Sequence, residues 1–264
     1  MHDFSSPRSA TLGLGARVTF GRYPWVRTLF VVCSRLFGVR HFDTARSYGD
    51  GQSEAVLGAA LWGFKSPAVV TKIGVPLHSD EPWAAKTPGV KLTQPQRHDS
   101  LTRVQQFRVF FPPSSIEHYL RASLSNLRRP QVQGLLLHSI PRQLNLRPYI
   151  LELRRLQAIG LVQKIGVSVD DGELLSSMDL AWADILQVPF SMVNQVPESN
   201  IPNDAEIHVN QIFRSGPNTM TKVLMSQALA DRPVVLLQGT RKISRLLSSR
   251  RQIAKAFQLM TGEV

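Results

Sequence analysis

The chain has 264 residues, a length that suits one large domain with a buried core. Its hydrophobic content of 43% and charged content of 19% are typical of a soluble globular protein. The 31 Lys and Arg residues outnumber the 19 Asp and Glu residues, and the resulting formal charge of +12 favours anionic ligands. Because the basic residues are scattered, apart from a modest cluster at 241–251, we predict no nucleic-acid partner.

The sequence lacks the features that would indicate a disulfide-bonded, metal-binding, secreted or membrane-spanning protein. Cys33 is the single cysteine, which excludes an intramolecular disulfide and supplies no metal-ligand spacing, so we predict no metal site. The first residues lack the apolar core of a secretion signal, and no run approaches the roughly 18 apolar residues of a membrane span. We therefore predict a cytoplasmic protein without a membrane partner.

The first predicted elements are a glycine-containing strand and a helix. The stretch 11–17 contains two glycines, but Val18 stands where a dinucleotide-binding fingerprint has its third, which argues against a Rossmann fold. Segment 24–37 has helical character, with Pro24 in its first turn and a glycine stop after it. The apolar run around Cys33 is typical of a buried helix face.

The next stretch combines an acid and a phenol. A short strand ends at Asp43, two glycines break it, and a helix begins near Ser53. Side chains at the carboxyl ends of parallel strands and in the following loops face the ligand, so Asp43 and Tyr48 are placed for chemistry. The alternative from this stretch alone is a capping aspartate and a solvated loop tyrosine.

Two later strands also end on polar side chains. One β-branched run ends at Lys72 and an apolar run ends at His138. A buried lysine is costly unless it is paired, and Asp43 is its obvious partner. Three such strand ends favour one shared site, although His138 could also be a core histidine satisfied by a carbonyl group.

A long segment from 74 to 113 interrupts the alternation of strands and helices. It leaves the carboxyl end of the strand that bears Lys72, so we interpret it as a wall or lid on the substrate side. Trp83 and the aromatic group around Phe110 are its candidate substrate contacts. Peripheral packing of these aromatic side chains is an equally open interpretation.

The rest of the chain returns to alternation. A serine-capped helix from 114 precedes the strand that ends at His138, and strands follow at 164–169, 184–188, 206–213 and 233–238. The loop at 189–205 has two further prolines after Pro189 and no helical period, so its helix is absent or very short. Eight strands separated mainly by helices indicate a (β/α)8 TIM barrel or a doubly wound sheet. The missing Rossmann fingerprint and the three strand ends at one site favour the TIM barrel, in a single domain over 1–264.

These residues resemble the signature of the aldo-keto reductase family. The matching text is Arg40-His-Phe-Asp43-Thr-Ala-x-x-Tyr48-Gly-x-x-x-Ser53-Glu54-x-x-x-Gly58, with Lys72 and His138 in matching contexts further along. The resemblance implies a catalytic tetrad of Asp43, Tyr48, Lys72 and His138. A nearby ammonium stabilises a phenolate and lowers its pKa, so Lys72 would make Tyr48 a usable acid or base.

The resemblance also implies an NADPH/NADP+ site. Gly15 would let the backbone approach the ligand, while Ser168 and Gln187 would hold the nicotinamide carboxamide; Val169 replaces the family's usual asparagine there. A phosphate-binding turn would comprise Gly239, Thr240, Arg241 and the 2'-phosphate partner Arg245. Ser248 and Ser249 stand where the family often has Glu and Asn on the adenine. The nicotinamide-stacking position falls at either Asn210 or Phe213.

The predicted activity is therefore an NADP(H)-dependent oxidoreductase that interconverts an aldehyde or ketone, such as a sugar or an anionic small molecule, and its alcohol. Two alternatives stay open. One is isomerisation or elimination by internal redox with a retained nicotinamide. The other is a catalytically inactive, cofactor-binding regulatory protein. Nothing in the sequence indicates the oligomeric state.

Overall fold

The computed structural model describes residues 9–18, 23–49, 51–64, 67–75, 112–197, 200–212, Leu229 and 232–261. Eight parallel strands pair in sequence order, and the last pairs with the first to close a barrel. The strands are β1 Ser9–Gly15, β2 His41–Asp43, β3 Ala68–Ile73, β4 Val132–His138, β5 Val162–Ser168, β6 Ile185–Pro189, β7 Glu206–Asn210 and β8 Pro233–Gln238.

Helices surround the strands. The α-helices of the described residues are α1 Pro24–Leu36, α2 Gln52–Leu61, α3 Ile116–Leu127, α4 Arg147–Ala158, α5 Gly172–Ser177 and α6 Ile243–Thr261. Short 3-10 helices occupy Ala16–Val18, Pro113–Ser115 and Phe190–Gln195. The architecture is a (β/α)8 TIM barrel, which confirms the predicted fold class. None of the helices described is long and apolar enough to cross a membrane.

The apolar core has two parts. The larger cluster fills the space between the strands and the helices. A small cluster of Val70, Leu136 and Ile185, from β3, β4 and β6, lies inside the barrel. Gly134 shares this layer, and a β-carbon there would lie 2.7 Å from Cδ1 of Ile185. Side chains therefore fill the barrel interior at this level, and the polar groups lie above this packed apolar layer.

Strand register brings the predicted site residues to one end of the barrel. Asp43 pairs with Gly15 on one side and Val70 on the other, and Ser168 pairs with both His138 and Gln187. Side chains two residues apart on a strand share a face. The carboxyl ends of the strands therefore present these polar groups at one level.

The loop that carries Tyr48 is anchored at both ends. The hydroxyl of Ser53 donates to the carbonyl oxygen of Ala16 at 2.9 Å and also pairs with the Thr44 hydroxyl at 2.9 Å. Glu54 accepts a hydrogen bond of 2.7 Å from Thr71 on β3. A β-carbon on Gly58 would lie 2.1 Å from a backbone oxygen of α3, so α2 packs there without a side chain. These contacts fix the positions of both ends of the loop.

Several local predictions need correction. The hydroxyl of Ser115 donates to the Pro112 carbonyl at 2.8 Å and makes no capping hydrogen bond, because the preceding 3-10 turn already directs it backwards. The apolar run of α1 is not uniformly buried: Val31 is buried and Cys33 is only partly so, because a helix turns half of a continuous run away from the barrel. β7 ends at Asn210, where the next residue, Gln211, takes a φ of 57°.

Other predictions fall outside the described residues or agree with them. Trp83, Phe110 and Phe213 lie outside, as does most of the segment 74–113. The loop at 189–205 carries a 3-10 helix of six residues, Phe190–Gln195, and no longer helix in its described part, in agreement with the sequence.

Candidate active site

A buried ion pair lies at the centre of the carboxyl end of the barrel. Lys72, the penultimate residue of β3, has only 1% of its surface exposed, and its ammonium donates to both carboxylate oxygens of Asp43 at 2.6 Å. A third hydrogen bond of 2.8 Å goes to the carbonyl oxygen of Thr44. All three ammonium donors are thus engaged, as a buried charge requires. The predicted pairing of Lys72 with Asp43 is present.

The ion pair continues into an amide and a hydroxyl. Nε2 of Gln187 donates to Oδ2 of Asp43 at 2.9 Å, and Oε1 of Gln187 accepts from the hydroxyl of Ser168 at 2.8 Å. Lys72, Asp43, Gln187 and Ser168 form one chain of hydrogen bonds that we call the carboxyl-end network. Sequence analysis assigned Gln187 and Ser168 to a nicotinamide only, and it missed their connection to Asp43. No local signal marks a contact between residues so far apart in the chain.

Tyr48 lies next to this network. The Lys72 ammonium is 5.3 Å from the centroid of the phenol ring, and the His138 ring centroid is 6.0 Å away in an edge-on arrangement. Burial raises the pKa of Tyr48 above its usual value, and the positive charge of Lys72 opposes that rise. Tyr48 therefore stays a neutral phenol near pH 7, and the Lys72 charge is what favours loss of its proton.

His138 is held in its neutral form. Burial, followed by the charges of Lys72 and Arg17, lowers the pKa of His138 to about 3. A neutral imidazole carries one N–H donor and one acceptor nitrogen. Nδ1 of His138 is buried and has no hydrogen-bond partner within the described part of the chain. The structure thus brings all four predicted tetrad residues together. Nδ1 of His138 can still form a hydrogen bond to a ligand.

Arg17 is a residue of this site that sequence analysis missed. It follows β1 in a 3-10 turn, and its guanidinium lies 6.0 Å from the centroid of the Tyr48 ring. Its charge lowers the pKa of both Tyr48 and His138. A basic residue just past a strand end is a usable signal in a barrel, because the loops after strands form the ligand face.

The residues around the barrel mouth fit a carboxamide-bearing ring. Oδ1 of Asn210, at the end of β7, is buried and unpaired within the described ranges, and the amide of Gln187 lies two strand positions away on β6. Val169 is buried, and its backbone N–H donates to the Gln187 carbonyl at 2.9 Å. Unsatisfied amide and imidazole atoms of this kind are the partners that a carboxamide needs.

The turn after β8 fits a phosphate. Thr240 is buried, and its hydroxyl accepts a hydrogen bond of 3.1 Å from the backbone N–H of Lys242. Lys242 directly precedes the first residue of α6. Arg241 and Arg245 are exposed, and no acidic residue occurs between Asp231 and Glu263. Helix N-termini and arginines favour anionic phosphate groups.

Gly15 and Gly239 border one another across β1 and β8. A β-carbon on Gly15 would lie 3.7 Å from the backbone nitrogen of Gly239, an ordinary contact distance. Packing within the protein therefore does not require glycine at position 15. Ser249 is buried and donates to the Arg245 carbonyl at 2.8 Å, so its hydroxyl is already used within α6, while Ser248 is exposed.

The described residues contain no group of three or more His, Cys, Asp or Glu side chains that could hold a metal ion. What they do assemble at the barrel mouth is a buried ammonium, a protonated phenol and a neutral imidazole. Such a set can donate a proton and orient a carbonyl oxygen.

Comparison with known proteins gives this arrangement its family. The sequence profile of the Aldo/keto reductase family matches residues 36–208. Among curated protein sequences, none matches the chain. The family match spans the strands that carry Asp43, Lys72, His138, Ser168 and Gln187.

Solved structures agree on the fold. A Pseudomonas aeruginosa protein whose name assigns it to the aldo-keto reductases is 19% identical, with a TM-score of 0.67 over 93% of this chain and 90% of that one. An aldo/keto reductase from Klebsiella pneumoniae, solved with NADP and acetate, is 18% identical, with a TM-score of 0.57 over 93% and 85%. A glycerol dehydrogenase from Gluconobacter oxydans is 17% identical, with a TM-score of 0.59 over 99% and 95%. With the family profile covering well over half of its residues, this chain belongs to the aldo/keto reductase family.

Proposed function

We propose that the protein is an NADP(H)-dependent oxidoreductase that interconverts an aldehyde or ketone and its alcohol, with Tyr48 as general acid and base. Membership of the family makes the chain an oxidoreductase that acts on small molecules. The observation that carries the finer proposal is the buried Lys72–Asp43 pair at 2.6 Å beside a phenol that stays protonated.

Tyr48, Lys72 and Asp43 divide the proton chemistry between them. Reduction of a carbonyl leaves an alkoxide that needs a proton, and Tyr48 carries one near pH 7, since a phenol has a pKa of about 10 and burial raises it further. The phenolate left behind is stabilised by the Lys72 ammonium, whose charge lowers the pKa of Tyr48. Asp43 keeps that ammonium in place through two hydrogen bonds. In the oxidative direction, the same phenolate would accept the proton of an alcohol.

His138 acts as an orienting donor in this proposal. Because its pKa is lowered to about 3, it stays neutral across the physiological range and presents one N–H without a positive charge. A hydrogen bond from that group to the carbonyl oxygen would direct the carbonyl next to Tyr48. The two rings lie edge-on with their centroids 6.0 Å apart, so both side chains belong to the same part of the barrel mouth.

A nicotinamide cofactor, when bound, supplies or accepts the hydride. Ser168, Gln187 and Asn210 are the residues that would hold its carboxamide, and Gly15 would leave room for the backbone approach. Gly239, Thr240, Arg241 and Arg245 would hold its phosphates. Because Gln187 also bonds Asp43, occupancy of this site would be coupled to the position of the acid beneath Tyr48.

The substrate class is a carbonyl compound or alcohol, with anionic compounds and sugars as the first to try. The charge of +12 and the exposed arginines favour anions. The Klebsiella pneumoniae neighbour was solved with acetate, and the Gluconobacter oxydans neighbour is a glycerol dehydrogenase. We also propose Trp83 and Phe110 as apolar substrate contacts and a single domain over 1–264 in the cytoplasm.

The test is a titration of the purified protein with NADPH and NADH, followed by quenching of tryptophan fluorescence. We expect NADPH to bind more tightly, and Arg245→Ala to weaken NADPH about tenfold while NADH changes little, because one charged hydrogen bond to phosphate is lost. Arg251→Ala is the matched control, since this exposed arginine lies further along α6. Equal effects of both variants would contradict the assigned role of Arg245.

A panel of aldehydes, ketones and sugars with NADPH then tests turnover. Measurable oxidation of NADPH by any member supports the proposal. A nicotinamide that stays bound through purification, with isomerisation and no net redox, would replace it with internal redox chemistry. Tight cofactor binding with no turnover across the panel would instead indicate a regulatory, inactive relative.

A further inference from the structure

Large apolar side chains exposed on the described surface concentrate in one region. They lie on α1, at its two ends and just after α2: Tyr23, Trp25, Val26, Leu29, Leu36, Phe37 and Trp62. The others, Leu151 and Ile159, lie on or just after α4. A concentration of exposed apolar side chains of this kind is typical of an interaction site.

Three of these side chains form a stripe along α1. Trp25, Leu29 and Leu36 are 69%, 57% and 70% exposed, and their spacing of four and seven residues places them on one side of the helix. Val31 and Ser34, on the other side, are fully buried against the barrel. The stripe runs for about 17 Å at 1.5 Å per residue. Helix α1 therefore has an apolar face toward solvent as well as one toward the core.

The surroundings of this stripe are positively charged. The sequence has no Asp or Glu between Asp3 and Asp43 and none between Asp231 and Glu263, the stretches that contain α1 and α6. The two helices are neighbours, and Arg250 of α6 donates to the carbonyl oxygen of Phe37 at 2.6 Å.

Further exposed cations lie on α6 itself. Arg251 and Lys255 are exposed on this helix, which carries no acidic residue over its length. Apolar and basic surface thus lie side by side on adjacent helices.

We propose that α1 and α6 form a peripheral membrane-binding face for anionic phospholipids. Tryptophan and leucine side chains enter the boundary between headgroups and acyl chains, while arginine and lysine pair with lipid phosphates. Such a face lies on the bilayer without crossing it, so it agrees with the absence of a spanning helix among those described. It departs from our prediction that the protein has no membrane partner.

Charge favours a lipid surface over a second copy of the chain. In a symmetric dimer built on this face, α1 and α6 of one protomer would meet the same acid-free helices of the other. Like charges across an interface are unfavourable, and these helices contain no carboxylate to pair with them. An anionic bilayer supplies the missing negative charge.

Co-sedimentation of the full-length protein with vesicles tests this proposal. We expect binding to mixed vesicles of phosphatidylcholine and phosphatidylglycerol, no binding to phosphatidylcholine alone, and release by added salt. The double variant Trp25→Gln, Leu29→Gln should weaken binding at least about tenfold, because it removes apolar area that enters the bilayer. The double variant Leu151→Gln, Ile159→Gln is the matched control, and it should bind as the unmodified protein does.

A charge variant checks the basic half of the face. Arg251→Gln with Lys255→Gln should weaken binding about thirtyfold, since each basic residue near an anionic surface contributes about 1 kcal/mol. Circular dichroism should be unchanged in every variant, because all of the substituted side chains are exposed.

Three results would overturn the proposal. One is the absence of binding to anionic vesicles, and another is binding that survives the Trp25 and Leu29 substitutions. The third is a dimer in analytical ultracentrifugation that the same double variant dissociates without any vesicle binding, which would make the face an interface between copies.

Discussion

The barrel interior holds two polar networks, one at each end. The carboxyl-end network of Lys72, Asp43, Gln187 and Ser168 lies beside Tyr48. A second, amino-end network comprises Lys164, Glu206, His208 and His41. Lys164 donates to Glu206 at 2.7 Å, the Glu206 carboxylate pairs with Nε2 of His208 at 3.1 Å, and the two histidine rings meet edge-on at 4.8 Å.

The two networks differ in what their charges act on. At the carboxyl end the buried ammonium of Lys72 faces a phenol whose pKa burial raises. At the amino end Lys164 is 33% exposed on its side chain and pairs with Glu206. Burial alone would raise the pKa of Glu206, but hydrogen bonds from His208 and Lys164 lower it to about 2. The carboxyl-end network lies beside a protonated phenol, while the amino-end network pairs its charged groups with one another.

The largest expected effect is a loss of turnover, because we assign catalysis to the carboxyl end of the barrel and not to the amino end. Tyr48→Phe should lower turnover by about 10²–10⁴-fold, the usual contribution of a general acid, with NADPH affinity unchanged. Steady-state kinetics on the best substrate of the panel measures it, with fluorescence titration for cofactor binding. Tyr149→Phe, on α4, is the control and should keep full activity. Unchanged turnover in Tyr48→Phe would remove the proposed mechanism.

The next effect compares the two lysines. Lys72→Met leaves Asp43 buried without its cation and should lower the free energy of unfolding by about 3–5 kcal/mol. Lys164→Met breaks a partly exposed pair and should cost less than about 1 kcal/mol. Urea denaturation measures both. Similar losses would mean that the carboxyl-end network is not the more tightly coupled of the two.

A smaller effect tests the link between Gln187 and Asp43. Gln187→Met keeps the side-chain length but removes both hydrogen bonds, so we expect a loss of about 1–3 kcal/mol in urea denaturation. Gln195→Met, on the exposed side of the following 3-10 helix, provides the comparison and should change stability little. A fully stable Gln187→Met protein would show that Asp43 does not depend on this amide.

The last prediction concerns the effect of pH on stability. Burial lowers the pKa of His41 from 6.5 to about 3, with the charge of His208 adding to the shift. Between these values the unfolded chain binds more protons than the folded chain, so stability falls as pH falls from 6.5 toward 3.

Removal of the His41 ring should flatten that slope. In His41→Phe we expect the unfolded chain to bind up to one proton fewer relative to the folded chain, which lowers the slope of the free energy of unfolding by about 1.4 kcal/mol per pH unit. The contribution of His138 to the slope should remain. Urea denaturation across this pH range measures the slope. His118→Gln, at an exposed position on α3, should leave it unchanged, and an unaltered slope in His41→Phe would show that His41 does not titrate as described.

The carboxyl-end site was largely predictable because each member ends an apolar run. Asp43 and His138 end their strands, Lys72 lies one residue before the end of β3, and parallel strands bring such ends to one edge. The same rule did not identify Lys164 or Glu206, because these residues lie at or near the starts of their strands. It also missed Arg17, because this arginine lies in the turn after β1 and not at the end of the strand itself.

The surface of α1 shows the opposite case. Its apolar run covers the whole circumference of the helix, so the sequence predicted burial without a direction. Only packing against the barrel turned Val31 inward and left Leu29 exposed.

By itself, the sequence determined the (β/α)8 barrel and the positions of the four residues that we propose as a tetrad, because strand length, glycine breaks and terminal polar residues are local properties. The tertiary structure decided that Gln187 bonds Asp43 across 144 residues, that His41 meets His208, and which side of α1 faces water. Such contacts depend on barrel closure and register, and no stretch of chain encodes them alone.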